Sequence, residues 1–143
     1  MMKVSDPIIF GHVLKVFFKN FIKNNNKVLD EINVDFNSGL SNIFEKLNQL
    51  DNVRREKLTR EIELDIENGP DIAMVNYEKN ITNFHIPSDI IIDASMPAMI
   101  KSSGKMWDKN GELKDTKAII PDSSYSSIYQ ATIDFCKENG CLL

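Results

Sequence analysis

The sequence is poor in the features that mark secreted, membrane-spanning or unstructured chains. Two cysteines in 143 residues, Cys136 and Cys141, are too few and too close together for a disulfide framework. Six glycines and five prolines exclude a collagen-like repeat, and beside 42% hydrophobic residues they exclude a disordered or low-complexity chain. No apolar run approaches the ~20 residues of a membrane span. The start, Met1-Met2-Lys3-Val4-Ser5-Asp6-Pro7, lacks the charged and apolar regions of a signal peptide. Basic charge is not in excess: 17 Lys and Arg stand against 21 Asp and Glu, for a net charge of −4. That excludes wholesale binding to nucleic acid or to an anionic membrane, which needs a concentrated basic face. There is no G-x-G-x-x-G and no P-loop. A reduced, cytoplasmic protein is the expectation.

What is present reads as one structural piece of mixed α/β class. Residues 1–70 read as mainly helical and 71–143 as mixed strand and helix. Ser5 and Pro7 open a first helix, on which Ile9, Val13, Val16, Phe17 and Phe21 recur at helical spacing. Asn24-Asn25-Asn26 ends that pattern, and a short helical piece follows from Val28 to Ile32. Leu40, Ile43, Phe44, Leu47 and Leu50 mark another helix. Leu58, Ile62 and Ile66 mark a fourth, with a solvated, charge-laced face and a stop at Gly69-Pro70. Ile72 to Val75, Ile81 to Ile86 and Lys117 to Ile120 read as short strands. Gly104 to Asp115, with Asn110-Gly111, reads as a loop or hairpin turn. A last helix runs from about Ser124 to Glu138, capped by Asp122 or Ser123 and closed by Gly140. The segment from Ile86 to Ser103 fits two readings. Ile90-Ile91-Ile92 favours a strand, whereas Ser88, Asp89 and Ala94 to Ile100 favour a helix that kinks at Pro97.

Asp93 is the strongest chemical signal, a carboxylate among Ile90 to Ile92 and Met96 to Ile100. An ionised carboxylate there loses hydration worth several kcal/mol unless a cation or strong donors compensate. A divalent metal would do so, and oxygen ligands suit Mg²⁺ or Mn²⁺. On a helix, Asp89 and Asp93 would share one face. A structural Asp accepting from backbone N–H groups fits the same residues. Lys3, in a weakly charged stretch, fits either a proton-handling lysine of a closed site or a solvated terminal one. His12 and His85 have no ligand-spaced neighbours and read as structural histidines rather than zinc ligands. The serines flanking Tyr125 read as helix caps.

Several runs resemble the monomeric, NADP-dependent isocitrate dehydrogenases of bacteria. They are Met1 to His12, Ile81-Thr82-Asn83 with His85 to Asp89, and Asp93-Ala94-Ser95-Met96-Pro97-Ala98-Met99-Ile100. Ser103-Gly104-Lys105-Met106-Trp107, Asp115 to Ala118, Ile120-Pro121-Asp122 and Tyr125 to Gln130 continue them. The resemblance covers nearly the whole chain, with Leu40 to Glu67 the least distinctive part. It implies an internal fragment of the large domain of an enzyme about five times longer.

The resemblance also implies roles. Lys3, in the Lys-Val-Ser-Asp-Pro run, would lie at the substrate and take part in proton transfer. Asp93 would be one of the carboxylates binding Mg²⁺ or Mn²⁺, and the kinked-helix reading of 89–102 is favoured. The implied reaction is oxidative decarboxylation of isocitrate to 2-oxoglutarate with NADP⁺, a step of the tricarboxylic acid cycle at the branch to the glyoxylate bypass. The metal would act as Lewis acid. The catalytic tyrosine, the other metal carboxylates and most NADP contacts would lie elsewhere, so Tyr125 and Tyr129 are not the catalytic tyrosine. The chain alone is expected to be inactive and to bind neither cofactor, with the remainder of its polypeptide as partner and a tendency to self-associate. A non-catalytic binding or assembly module reusing the fold is the competing reading.

Overall fold

The computed structural model describes residues 7–87, 99–117 and 123–140. Helix α1 (Pro7–Phe17) and helix α2 (Lys19–Glu31) meet at a bend on Phe18. The i→i−4 ladder continues around the bend, from the Phe18 N–H to the Leu14 carbonyl and from the Ile22 N–H to the Phe18 carbonyl. The Phe21 N–H instead donates to Asp65 Oδ2 at 3.1 Å. A carboxylate from a neighbouring helix thus satisfies an N–H in the first turn of α2, where negative charge is favoured.

The core stripe lies beside the one expected and runs at helical spacing straight through Phe18. Phe10, Leu14, Phe18 and Phe21 are buried, Ile9, Val13 and Phe17 pack at the core's margin, and Val16 is 73% exposed. The asparagine triplet does not end the helix either. Asn25 is buried, and its amide donates to the Phe21 carbonyl at 2.9 Å and to Glu61 Oε2 at 2.5 Å. An amide whose hydrogen bonds are met inside the bundle no longer competes with the helical backbone.

A short 3₁₀ turn, Phe36–Ser38, is capped by Asp35, whose carboxylate accepts from the Asn37 N–H and the Ser38 hydroxyl. Helix α3 (Gly39–Leu47) follows directly and buries Leu40, Ile43 and Leu47. Asp51 caps helix α4 (Asn52–Asn68) by accepting from the Arg54 N–H at 3.0 Å. Helix α4 buries Leu58 and Ile62, turns Glu61 and Asp65 toward α2 and leaves most of its other charges exposed. Arg60 bridges Glu63 and Glu67, and Lys57 faces Glu61. Exposed pairs of this kind contribute only ~0.2–1 kcal/mol each. The apolar face holds the helix in place.

Beyond Gly69 the chain forms two antiparallel ribbons. Strands β1 (Met74–Asn76) and β2 (Ile81–Thr82) pair through Met74 with Thr82 and Asn76 with Ile81, with a register shift between the two. The strand expected over 72–75 therefore lies later by one to two residues. Of the strand expected over 81–86 only its first two residues pair, because Phe84 and His85 direct their carbonyls elsewhere. They accept the Leu40 and Ser41 N–H groups, both at 2.9 Å, and so complete the first turn of α3. Strands β3 (Lys105–Trp107) and β4 (Leu113–Asp115), within the stretch expected to be a loop or a hairpin turn, form a hairpin in register from Lys105–Asp115 to Trp107–Leu113.

The class is mixed α/β, as expected, with the strands in two separate ribbons. Residues 99–101 are helical, while the rest of the segment 89–102 up to Ala98 falls outside the described residues. So do Ser5 and Asp122, and all but Lys117 of the strand expected over 117–120. Helix α5 (Ser123–Asn139) ends at Gly140, which takes a φ of +84°. Among the described residues no helix is long and apolar enough to cross a membrane.

Candidate functional site

Two cavities flank the aromatic centre of the fold. At that centre Phe84 is 1% exposed and meets three other rings edge-on, those of Phe10, Phe17 and Phe18. The first cavity is an open groove of about 620 Å³ between α1 and the β3–β4 hairpin. Ile9, Val13, Val16 and Phe17 form its helical wall, and Met106 and Trp107 face them from the hairpin. Its rim is polar, with His12, Asp71, Asp108 and Lys114.

Asp108 organises that rim. Its Oδ1 accepts from the N–H groups of Asn110 and Glu112 at 2.8 and 2.9 Å, which fixes the hairpin turn. Its Oδ2 lies 2.8 Å from Lys114 Nζ, which also approaches Asp71 at 3.8 Å. The hydrogen bond from Lys114, then those from the Glu112 and Asn110 backbone, hold the Asp108 carboxyl down to about 2. The same bond raises the Lys114 ammonium above its ordinary range. Only 4% of the Asp108 side chain is exposed. The sequence reading passed over Asp108 and Lys114. The signal was the run Asp108-Lys109-Asn110-Gly111, in which an Asp side chain can accept from the turn it opens.

The second cavity, of about 600 Å³, lies between α3, α4 and the β1–β2 ribbon. His85 stands on its wall, half-buried and beside the Phe44 ring at a centroid distance of 6.0 Å. The Thr82 N–H donates to His85 Nδ1 at 3.0 Å. Nδ1 must therefore carry a lone pair, which assigns the neutral ring with its proton on Nε2. Burial lowers the His85 pKa in the same direction. The structural role expected of His85 is visible in these contacts. His12, by contrast, is exposed on the groove rim.

Lys3, Asp89 and Asp93, the residues singled out for chemistry, lie outside the described residues, as does Cys141. Cys136 is a free, half-exposed thiol on α5. Among the described residues no three His, Cys, Asp or Glu side chains converge in a way that could hold a metal ion.

Comparison with known proteins decides the family. The family model described as monomeric isocitrate dehydrogenase matches residues 1–142. The chain belongs to the monomeric isocitrate dehydrogenase family. It is 49% identical over 140 residues to isocitrate dehydrogenase (NADP) of Corynebacterium glutamicum. The identity is 46% with isocitrate dehydrogenase (NADP) 2 of Mycobacterium tuberculosis and 45% with isocitrate dehydrogenase (NADP) of Azotobacter vinelandii. In each case the match covers 98% of this chain but 19% of the relative. The chain thus spans about a fifth of the length of the curated relatives it matches.

Proposed function

We propose that this chain is one structural piece of a cytoplasmic, NADP-dependent isocitrate dehydrogenase, acting in the metal-assisted oxidative decarboxylation of isocitrate to 2-oxoglutarate. The observation that carries this reading is the continuous family match over residues 1–142, with the named relatives 45–49% identical. Within it, Asp93 is a carboxylate ligand of Mg²⁺ or Mn²⁺. Its sequence surroundings support this, since three isoleucines before it and Met96 to Ile100 after it offer no hydration. When bound, the ion supplies Lewis-acid polarisation of substrate oxygen. Lys3 holds and moves a proton at its Nζ beside the substrate, a role favoured by the uncharged residues Val4 and Ser5 that follow it. NADP and most substrate contacts come from the remainder of the polypeptide. The isolated chain then has one metal carboxylate where Mg²⁺, which keeps its waters, needs several pre-placed ligands.

The test replaces the matching segment of the Corynebacterium glutamicum relative with this chain. The chimaera is expected to reduce NADP⁺ in an isocitrate-dependent manner, and the isolated chain is expected to show no turnover. A folded chimaera without turnover would contradict the proposal and favour a non-catalytic module. Turnover by the isolated chain would contradict the division of the site.

A further inference from the structure

We infer that the groove between α1 and the β3–β4 hairpin is a docking surface for the rest of a longer family polypeptide, which covers it with aliphatic or aromatic side chains. The inference rests on the family reading above and adds to it a named surface.

The first argument is the composition of α1. Phe10 and Leu14 already fill the core on one side of this helix. Its groove side carries Ile9, Val13, Val16 and Phe17, so polar residues are confined to His12 and Lys15. A helix that meets water on one side carries a polar face there, whereas a helix apolar all round is a buried one. Val16 nevertheless stands 73% exposed and Trp107, across the groove, 38% exposed. Ile9, Val13 and Phe17 are half-buried against the core, and the exposed Val16 and Trp107 extend their apolar surface across the groove. A single exposed apolar residue is ordinary, but apolar groups gathered along one groove mark an interaction site.

The second argument is the pattern of polarity. The apolar floor is edged by His12, Asp71 and the Asp108–Lys114 pair, the arrangement of an interface with an apolar centre and a polar rim. The third is length. The chain accounts for 19% of each relative, so most of the family polypeptide lies outside it. A second copy of this chain would also hide apolar area, but only the longer polypeptide is required by the length of the relatives.

The test is thiol accessibility at the groove wall, read peptide by peptide by mass spectrometry. The Val16→Cys variant is prepared in the isolated chain and in the chimaera with the Corynebacterium glutamicum relative. Alkylation by iodoacetamide is expected to be fast in the isolated chain and at least ~10-fold slower in the chimaera. Equal rates in the two, or slow alkylation in the isolated chain, would overturn the inference. Isocitrate-dependent NADP reduction by the same chimaera reads the family proposal separately. Turnover with fast alkylation rejects the groove alone, and slow alkylation without turnover rejects the activity alone. If the chimaera does not fold, the isolated chain carries the test with the dye anilinonaphthalene sulfonate. Dye fluorescence excited through Trp107 is expected, reduced by Val16→Asp and untouched by Val53→Asp on α4. No dye signal, or equal loss in both variants, would overturn the inference.

Discussion

The rings of Phe84 and Phe17 meet edge-on, with centroids 4.9 Å apart and planes at 68°. Phe84 belongs to the buried core and follows strand β2, while Phe17 ends α1 and lines the groove. One contact therefore ties the helical layer to the ribbon that precedes the Asp93 segment. Phe84→Ala is expected to destabilise the chain by ~3–5 kcal/mol, the range for deleting a buried aromatic ring. Ile8→Ala, at a position 61% exposed, should stay within ~0.5 kcal/mol of the parent. Urea unfolding followed by circular dichroism measures both.

Gly39 begins α3 at a φ of +84°, and a Cβ built there would meet the His85 carbonyl. Gly104 has nearly the same φ, +82°, with open space around it. Both substitutions to alanine incur a positive-φ backbone penalty of ~1–3 kcal/mol, and Gly39, with a ψ of −176°, lies in a region open almost to glycine alone. Only Gly39→Ala must also displace the carbonyl that accepts the Ser41 N–H. Gly39→Ala is therefore expected to lower stability by more than Gly104→Ala, by at least ~1 kcal/mol. Equal losses would show that the α3 junction tolerates the extra carbon.

Protonation of His85 opposes folding, because its folded pKa lies below the ordinary 6.5 through burial. The unfolded chain then binds the proton more readily, and stability rises with pH across this window. The contribution is present above pH ~6.5 and is lost as the pH falls through the lowered folded value. His85→Asn, which keeps an acceptor near the Nδ1 position, should flatten the pH dependence of the urea midpoint between pH 5 and 7 (order of the imidazole range). An unchanged slope in the variant would place the dependence on another group.

Asp108 owes its low pKa first to Lys114 and then to two backbone N–H groups of its own turn. Its contribution to stability is present above the ordinary carboxyl value of 3.8 and is lost as the pH falls toward about 2. In Lys114→Met the carboxyl should titrate higher than in the parent yet still below 3.8, because Asn110 and Glu112 continue to donate. A carbon-detected NMR titration of the side-chain carboxyl reads this. A carboxyl that does not move would show that the turn alone sets its value.

Much of the helical half was legible in the sequence. Leu40, Ile43 and Leu47, and Leu58 with Ile62, kept the faces their spacing assigned, because each stripe lies on one unbroken helix. On α1 the expected stripe was partly kept: Phe21 is buried and Ile9, Val13 and Phe17 pack at the core's margin, while the fully buried positions are Phe10, Leu14 and Phe18 and Val16 faces out. Asn25 shows a second limit. The helix runs through the asparagine triplet because Glu61, 36 residues away, takes part of its amide's hydrogen bonding. Such long-range partners leave no periodic trace. Asn110-Gly111 was legible as a loop or turn, but its flanking strands were not, and the role of Asp108 depends on Lys114 across the ribbon. The resemblance to the family came from short runs such as Asp93 to Ile100, whose chemistry no periodicity reveals.

The most direct test of the account is the metal dependence of turnover in the chimaera with the Corynebacterium glutamicum relative. The Mn²⁺ concentration giving half-maximal isocitrate-dependent NADP reduction is measured for the parent chain and for Asp93→Asn. The account predicts a rise of about tenfold or more for the variant, since a neutral amide replaces a charged ligand of the ion. An unchanged metal requirement at full turnover would contradict it.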